Sequence, residues 1–370
     1  MRIHYLSSSI VPSKSANSIH VVKMVAAMAE AGHEVVLHAR VPPDGLGSPE
    51  SVRHRYGVEA PFAIEWHRWW PVRGVGGLLY GESVRRHVAS RRREIDLLYG
   101  RDLYSLHRCR GLGVPIRYEC HVLPGSRVRQ RLERQLVHSS SFERLVVISK
   151  ALEQAYTEGV PELGATDVVI AHDGADEPVT EHLPGRGVGN AIRVGYVGHL
   201  HPGKGAEMVP ELARRLPEMQ FEIVGGQDDV VREWRVRHRI DNLLLRGWVD
   251  PKDVPSVIAT FDIVLAPYGK RVSAYGGSKG DIAAWMSPLK LFEYMALGRS
   301  IVVSDLPVLR EVVRHEFNAL LCPPNDIDAW VEAIQRLGAD PSLRMRLGEQ
   351  ARREFLDEYT WPRRVRLVLG

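Results

Sequence analysis

The chain's 370 residues suit two domains of ordinary size, each able to bury its own core. With 44% hydrophobic and 25% charged residues it has the balance of a soluble globular protein, and no window approaches about 18 apolar residues, so neither a signal peptide nor a transmembrane helix is expected. The net charge of +4 hides an asymmetry: residues 1–150 hold 23 Lys+Arg against 13 Asp+Glu, a balance of +10, and the other 220 hold 26 against 32, a balance of −6.

"RIHYLSS" reads as the first strand. The loop after it, "SIVPSKSANS", lacks G-x-G-x-x-G, which weakens a nicotinamide dehydrogenase reading. "SANSIHVVKMVAAMAEAG" reads as a helix with Asn17 or Ser18 as N-cap and Gly32 just past its end, and Ile19, Val22, Val25, Ala26 and Met28 keep a period of about 3.6 residues. "HEVVLHA" is the next strand. "EWHRWWPVRGVGGLLYG" then sets Trp66, Trp69 and Trp70 beside arginines, either as buried core or as an aromatic, basic platform for a sugar ring or a membrane interface. "VRRHVASRRR" and "RVRQRLER" are solvated helix faces or an attraction for an anionic partner: a phosphorylated acceptor, a membrane surface or nucleic acid. No nucleic-acid-binding motif accompanies them, so nucleic acid is not expected. Further strands follow at "IDLLYG", "IRYEC", "RLVVIS" and "DVVIAH". Arg101, Asp102, Glu119 and His121 stand at strand ends, where open α/β sheets bind ligands.

"DGADEPVTEHLPGRGVGN" is the best linker candidate. A second series follows: "IRVGYVG", "QFEIVGG", "NLLLRGW", "FDIVLAPY", "SIVVSD" and "NALLCPP", separated by helix-length segments. Such alternation implies parallel sheets with helices on both faces, an α/β chain of two doubly wound halves joined near residues 177–190. "KRVSAYGGSKGDIAAW" (270–285) reads as a loop over a site. Cys109, Cys120 and Cys322 form no metal spacing and no disulfide framework, which favours a reducing compartment.

Within "GYVGHLHPGKG", Gly198-x-x-x-x-Gly203-Lys204 has the skeleton of a P-loop, but Gly205 stands where the Mg²⁺-binding Ser or Thr should be. Three glycines and a lysine before an expected helix make a phosphate site without metal, competing with a plain glycine turn. In "SPLKLFEYMALGRSIVVSD", Glu293 suits a pair of vicinal hydroxyls, Lys290 competes as its surface ion-pair partner, and Ser287–Pro288 fits a helix start with open N–H groups. "NDID" (325–328) is read as a helix cap, not a metal motif.

These residues together resemble the retaining glycosyltransferases of family 4, with the GT-B architecture. The resemblance is strongest from 192 to 325, in "GYVGHLHPGKG", "LRGWVDPKDVP", "FDIVLAPY" and "SPLKLFEYMALGRSIVVSDLPVLREVV", and extends to "YECH", "VVISKALE" and "VVIAHDGAD". It implies two Rossmann-like domains facing a central cleft: an acceptor domain at 1–180, with a C-terminal helix 353–370 packing back on it, and a donor domain at 190–350. It implies transfer of a hexose-type sugar from a nucleotide diphosphate sugar, UDP favoured over GDP, to a glycan, lipid-linked or small-molecule hydroxyl. It implies no metal and no other cofactor, and a cytoplasmic protein with peripheral contact at the inner face of the membrane.

Residue by residue, the resemblance gives Lys204 the donor diphosphate, together with Gly198, Gly203 and Gly205, and gives Glu293 the ribose hydroxyls, as second glutamate of an E-x7-E motif. Its first glutamate falls at Trp285, for which Asp281 or the N–H groups after Ser287 would substitute. His199 stands where an arginine is usual; Gly247, Trp248 and Val249 match the segment on the base; Ser287, Pro288, Leu289 and Lys290 line the donor. His121 matches the strand-end histidine near the donor sugar, and Asn17, Arg101 and Glu119 fall on the acceptor side. A sugar-nucleotide epimerase of the same architecture and a non-catalytic sugar-nucleotide-binding protein are the alternatives.

Overall fold

The computed structural model describes residues 1–43, 45, 47–72, 74–159, 168–178, 191–273 and 281–370. Part of the expected linker and residues 274–280 of the expected loop over the site lie outside them. The chain divides into two compact units, Met1–His172 with Trp361–Gly370, and Asp173–Thr360.

The first unit holds strands β1 (Arg2–Ile10), β2 (Glu34–Arg40), β3 (Ala63–His67), β4 (Leu97–Gly100), β5 (Ile116–Cys120), β6 (Phe142–Val147) and β7 (Val168–Ile170). They pair in parallel in the order β3-β2-β1-β4-β5-β6-β7. The second unit holds β8 (Arg193–Val197), β9 (Gln220–Val224), β10 (Leu243–Gly247), β11 (Ile263–Ala266), β12 (Ser300–Ser304) and β13 (Leu320–Cys322), in the order β10-β9-β8-β11-β12-β13. Both orders reverse direction beside their first strand, at β1/β4 and at β8/β11. That topological switch opens a crevice at the carboxyl ends of the strands, and ligands of doubly wound folds bind there.

The central strands are apolar throughout because helices cover both faces: every residue of β4, β11 and β12 is buried. β3 has no counterpart among the predicted strands. It lies at the sheet edge with two buried residues, so its sequence shows no apolar run.

Helix starts follow local capping. The helix Ala16–Glu30 is capped by Ser15, whose side chain accepts from Ser18 N, ahead of the caps predicted at Asn17 or Ser18. Asp326 caps the helix Ile327–Ala339 as the "NDID" reading expected. The predicted C-terminal helix 353–370 is two helices. Pro341–Glu358 belongs to the second unit and Trp361–Leu369 to the first. Pro362 accounts for the break, since a proline fits a helix's first turn but cannot continue a helix already running. Among the described residues, no helix is long and apolar enough to cross a membrane.

Candidate active site

In the second unit, the loop after β8 runs along the β8/β11 switch. Tyr196 on β8 is fully buried, and its hydroxyl folds the loop back by donating to His199 O (2.8 Å) and Lys204 O (3.1 Å). Gly203 and Gly205 have φ of +80° and +89°, and a Cβ on them would stand 2.0 Å from Arg271 O and 1.9 Å from Pro267 O. The glycines are therefore needed for close packing of this loop on the one after β11, where the sequence had suggested closeness to a ligand. The helix expected from residue 206 is broken. A 3-10 turn, Ala206–Met208, precedes a seven-residue helix, Val209–Arg215, and Lys204 sits in a turn with its N donating to His201 O (3.0 Å). Lys204 thus has no long helix dipole behind it, and its own charge is what the loop offers.

Lys290 is the largest departure from expectation. Sequence spacing allowed a surface ion pair with Glu293. In the structure Lys290 is 9% exposed and its Nζ has no hydrogen-bond partner among the described residues. The ammonium lies 3.8 Å from the Tyr196 ring centroid and 5.1 Å from that of Tyr268, while Lys204 Nζ lies 5.8 Å from Tyr268. Ring faces attract cations without neutralising them. Burial lowers the Lys204 ammonium to about 8, and burial, then the charge of Lys204, holds Lys290 well below the usual lysine range. Two lysines held on tyrosine rings make a site that is short of negative charge. Gly198 belongs to it as well, since a Cβ there would come 2.9 Å from Lys290 Nζ.

Lys290 and Glu293 are carried by the helix Leu289–Ala296. Tyr294 fixes that helix to the sheet, accepting from Val197 N (2.9 Å) and donating to Leu265 O (3.3 Å). Glu293 is half-buried, close enough for its charge to act on Lys290, Tyr268 and Tyr294. Pro288 precedes the first turn with no side-chain cap, Leu289 opens it, and the Ser287 hydroxyl is engaged, accepting from Asp173 N at 2.7 Å. Gly247 closes β10 at φ +96°. Beyond it the Trp248 ring stacks on His199 (centroids 6.0 Å apart, 29° between planes), and His199 on His201 (5.2 Å, 23°), with Val249 half-buried next in the chain. His199 is thus one layer of a flat aromatic column. Asp281, expected as a stand-in for the first glutamate, is occupied: its Oδ1 accepts from Val272 N (2.9 Å) and Ala283 N (3.0 Å), which lowers its pKa. It closes a turn. Trp285 is half-buried in the turn before Ser287.

In the first unit, the predicted strand-end residues separate into two kinds. Glu119, expected to line a cleft, is 1% exposed and forms the centre of a buried network. Its Oε1 lies 2.5 Å from His121 Nε2 and 2.7 Å from His20 Nε2. Its Oε2 accepts from Arg364 Nη1 at 3.0 Å and from the Tyr99 hydroxyl. These partners, Arg364 foremost, hold the carboxylate well below its ordinary range against the desolvation that opposes it. Asp102 caps the helix Leu103–Cys109 by accepting from Ser105 N at 2.9 Å, and burial raises its pKa. Arg101 is half-buried at the end of β4, and exposed Asn17 donates from Nδ2 to Ser9 Oγ at 2.7 Å. Of the three tryptophans, Trp66 is structural, donating to Val11 O at 2.8 Å, whereas Arg40 stacks 4.1 Å from the Trp69 ring and Arg68 lies 6.0 Å from that of Trp70.

Among the described residues, His20, Glu119 and His121 bring ligand-type atoms within 4.8 Å of one another. The guanidinium already on the same carboxylate opposes a second cation there, so the group is a hydrogen-bonded network. Sequence reading missed His20, Arg364 and the tyrosine bed. Tyr196 and Tyr268 stood inside quoted strand motifs and Tyr294 inside the quoted helix motif, and they were a signal; Arg364 gave none, because its partner is 245 residues away.

The family described as glycosyl transferases group 1 matches residues 191–340, most of the second unit. A putative teichuronic acid biosynthesis glycosyltransferase, TuaH, of Bacillus subtilis is 32% identical over 31% of this chain and 27% of its own length. The glycogen synthase of Mycobacterium tuberculosis is 22% identical over 92% of this chain and 87% of its own. The structure of Anabaena Alr3699/HepE in complex with UDP aligns with a TM-score of 0.72 over 100% of this chain and 98% of that one, at 16% identity, which shows the fold. The lysine site thus lies inside the part of the chain that matches the group 1 glycosyl transferases, and the chain shares the GT-B fold from end to end.

Proposed function

We propose that the chain transfers a hexose-type sugar from a nucleotide diphosphate sugar to a hydroxyl of a glycan, lipid-linked or small-molecule acceptor, with retention and without metal. The observation that carries this reading is the pair Lys204, half-buried, and Lys290, buried, both set against tyrosine rings at the β8/β11 switch. When the anomeric bond breaks, negative charge builds on the leaving diphosphate. Two ammonium groups in a water-poor pocket stabilise that charge most in the transition state. They supply the cationic charge that Mg²⁺ supplies in P-loop enzymes, which accords with Gly205 after the lysine. Glu293, one helical turn from Lys290, offers a carboxylate to the ribose hydroxyls, and the Trp248–His199 column offers a flat face to the base. UDP is favoured because the HepE structure is a complex with it. Retention rests on the family resemblance.

A transfer assay with UDP- and GDP-sugars tests the reading. Lys204→Ala is expected to cost roughly 2–4 kcal/mol of transition-state stabilisation, on the scale of a lost oxyanion donor. EDTA is expected to leave the rate within twofold. Full activity in Lys204→Ala would remove the site assignment, and abolition by EDTA would remove the metal-free claim. Binding of the donor with no turnover would leave a sugar-nucleotide-binding protein, the reading that Trp285 at the expected glutamate position favours.

A further inference from the structure

The first unit carries its own ring-borne cation at the carboxyl end of its sheet. Arg40 is the last residue of β2, in register with Ile10 of β1 and His67 of β3. Its guanidinium lies 4.1 Å from the centroid of the Trp69 ring. Among the described residues its Nε is buried without a hydrogen-bond partner, and no carboxylate forms an ion pair with it. The carboxylate whose charge reaches it, Asp102, is engaged by Ser105, accepting from N at 2.9 Å and from Oγ at 2.5 Å. Burial lowers the pKa of Arg40, but a guanidinium starts so high that it stays charged at neutral pH. Taking a charge out of water without a counter-charge costs free energy, which a ligand of opposite sign recovers.

The ring beneath Arg40 is fixed. Trp69 packs on Tyr80 (centroids 5.9 Å apart, 49° between planes), and the buried Tyr80 hydroxyl donates to Ser7 O at 2.5 Å. After Trp69 the chain turns sharply: Val72 N donates to Trp70 O and Gly76 N to Val72 O, both at 2.8 Å. Glycine opens the helix Gly76–Arg91 because a Cβ there would stand 2.4 Å from Trp70 O and 3.2 Å from the Trp69 ring. Arg68 brings a second guanidinium, exposed, 6.0 Å from the Trp70 ring. All of these residues belong to the first unit, so the platform is complete within it. The planar fork of a guanidinium matches the oxygens of a phosphate, and one already seated on a ring loses little rotamer freedom on binding.

We propose that Arg40, seated on Trp69, binds a phosphate group, and that this group is carried by the acceptor. The anion site stands on the first unit alone; that its ligand is the acceptor rests on the transfer reading made above. Two guanidinium groups on neighbouring tryptophans suit a doubly charged phosphate better than a singly charged carboxylate. The balance of +10 over residues 1–150 favours the approach of such a ligand.

Nitrogen-15 NMR of the tryptophan indoles in the full chain tests it, with Trp69 assigned by difference from Trp69→Phe. Inorganic phosphate at constant ionic strength is expected to shift the Trp69 signal saturably, and glucose to leave it in place. In Arg40→Met, whose unbranched chain still covers the ring, the affinity is expected to fall at least about tenfold; Arg40→Lys keeps the charge, loses the fork and falls between the two. No Trp69 shift in the unmodified protein, or equal affinity in Arg40→Met, would overturn the proposal and leave Arg40 a structural cation on its ring. Glucose 6-phosphate binding more tightly than inorganic phosphate supports it and identifies a soluble phosphosugar. Sedimentation with vesicles containing phosphatidylglycerol but not with phosphatidylcholine alone, lost in Arg40→Met, supports it and identifies a lipid-borne phosphate. Inorganic phosphate bound with neither of these is an adventitious ion only and overturns the acceptor assignment. The Trp69 shift is expected unchanged in Lys204→Ala. Absence of sugar transfer with the Trp69 shift intact is a distinct failure: the transfer reading falls and the anion site stands.

Discussion

At the scale of single residues, the decisive feature is that Lys204 and Lys290 are held by rings instead of carboxylates. A carboxylate would have fixed each ammonium at the cost of neutralising it. Tyr196 and Tyr268 fix them and leave the charge available. This gives the site a pH dependence of definite sign. Lys204 is lowered to about 8 by burial, so its charged form is full below that value and lost as pH rises through it. The affinity for UDP is expected to fall at least severalfold between pH 7 and 9.5, and the fall to be much smaller in Lys204→Ala; calorimetric titrations at several pH values check both. An identical pH profile in the two proteins would contradict the assignment. The sequence showed Lys204 through its glycine spacing. It could not show that Lys290 is buried, because an i, i+3 Lys–Glu pattern looks the same on a surface and against a sheet. Nor could it show that Asp281 and Asp102 spend their carboxylates on backbone N–H groups.

At the scale of elements, β1, β2 and β3 carry a buried chain of histidines. His4 Nδ1 meets His38 Nε2 at 2.8 Å, His38 Nδ1 meets His67 Nε2 at 2.9 Å, and His67 Nδ1 meets Ser83 Oγ at 3.1 Å. Each neutral ring has one donor and one acceptor, so the chain is satisfied only when its rings are neutral. Desolvation lowers His4 and His67 to about 4 and His38 well below its ordinary value; the charge of His87 pushes the same way on all three, and that of Arg91 on His4 and His38. An unfolded histidine titrates near 6.5. Between those values the unfolded chain binds more protons. The stability from this chain is therefore complete above about pH 6.5 and is lost as pH falls toward 4. The melting temperature is expected to drop over that window, and the drop to be shallower in His67→Gln; a wild-type melting temperature flat from pH 7 to 4.5 would contradict this. No local pattern pointed to this histidine chain, whose members lie 34 and 29 residues apart and meet only through strand register.

At the scale of the whole molecule, strand alternation was enough to predict two doubly wound halves, and both sheets have the strand order whose reversal creates a ligand crevice. The edge strand β3 escaped because half-exposed strands lack an apolar run, and the C-terminal helix was misjudged because Pro362 divides it from the one before. The lysine site of the second unit was legible because its residues are close in sequence. The Glu119 network of the first unit was not, since it is organised by residues from both ends of the chain.

The account stands on the two lysines binding a diphosphate. Calorimetric titration of UDP, in EDTA-containing buffer, into the unmodified protein and into Lys204→Ala and Lys290→Met tests this most directly. The account predicts binding without metal in the unmodified protein and a loss of about tenfold or more in each variant, corresponding to about 1.4 kcal/mol or more per charge-assisted contact. Equal affinity in all three proteins, or no binding until a divalent metal is added, would contradict it.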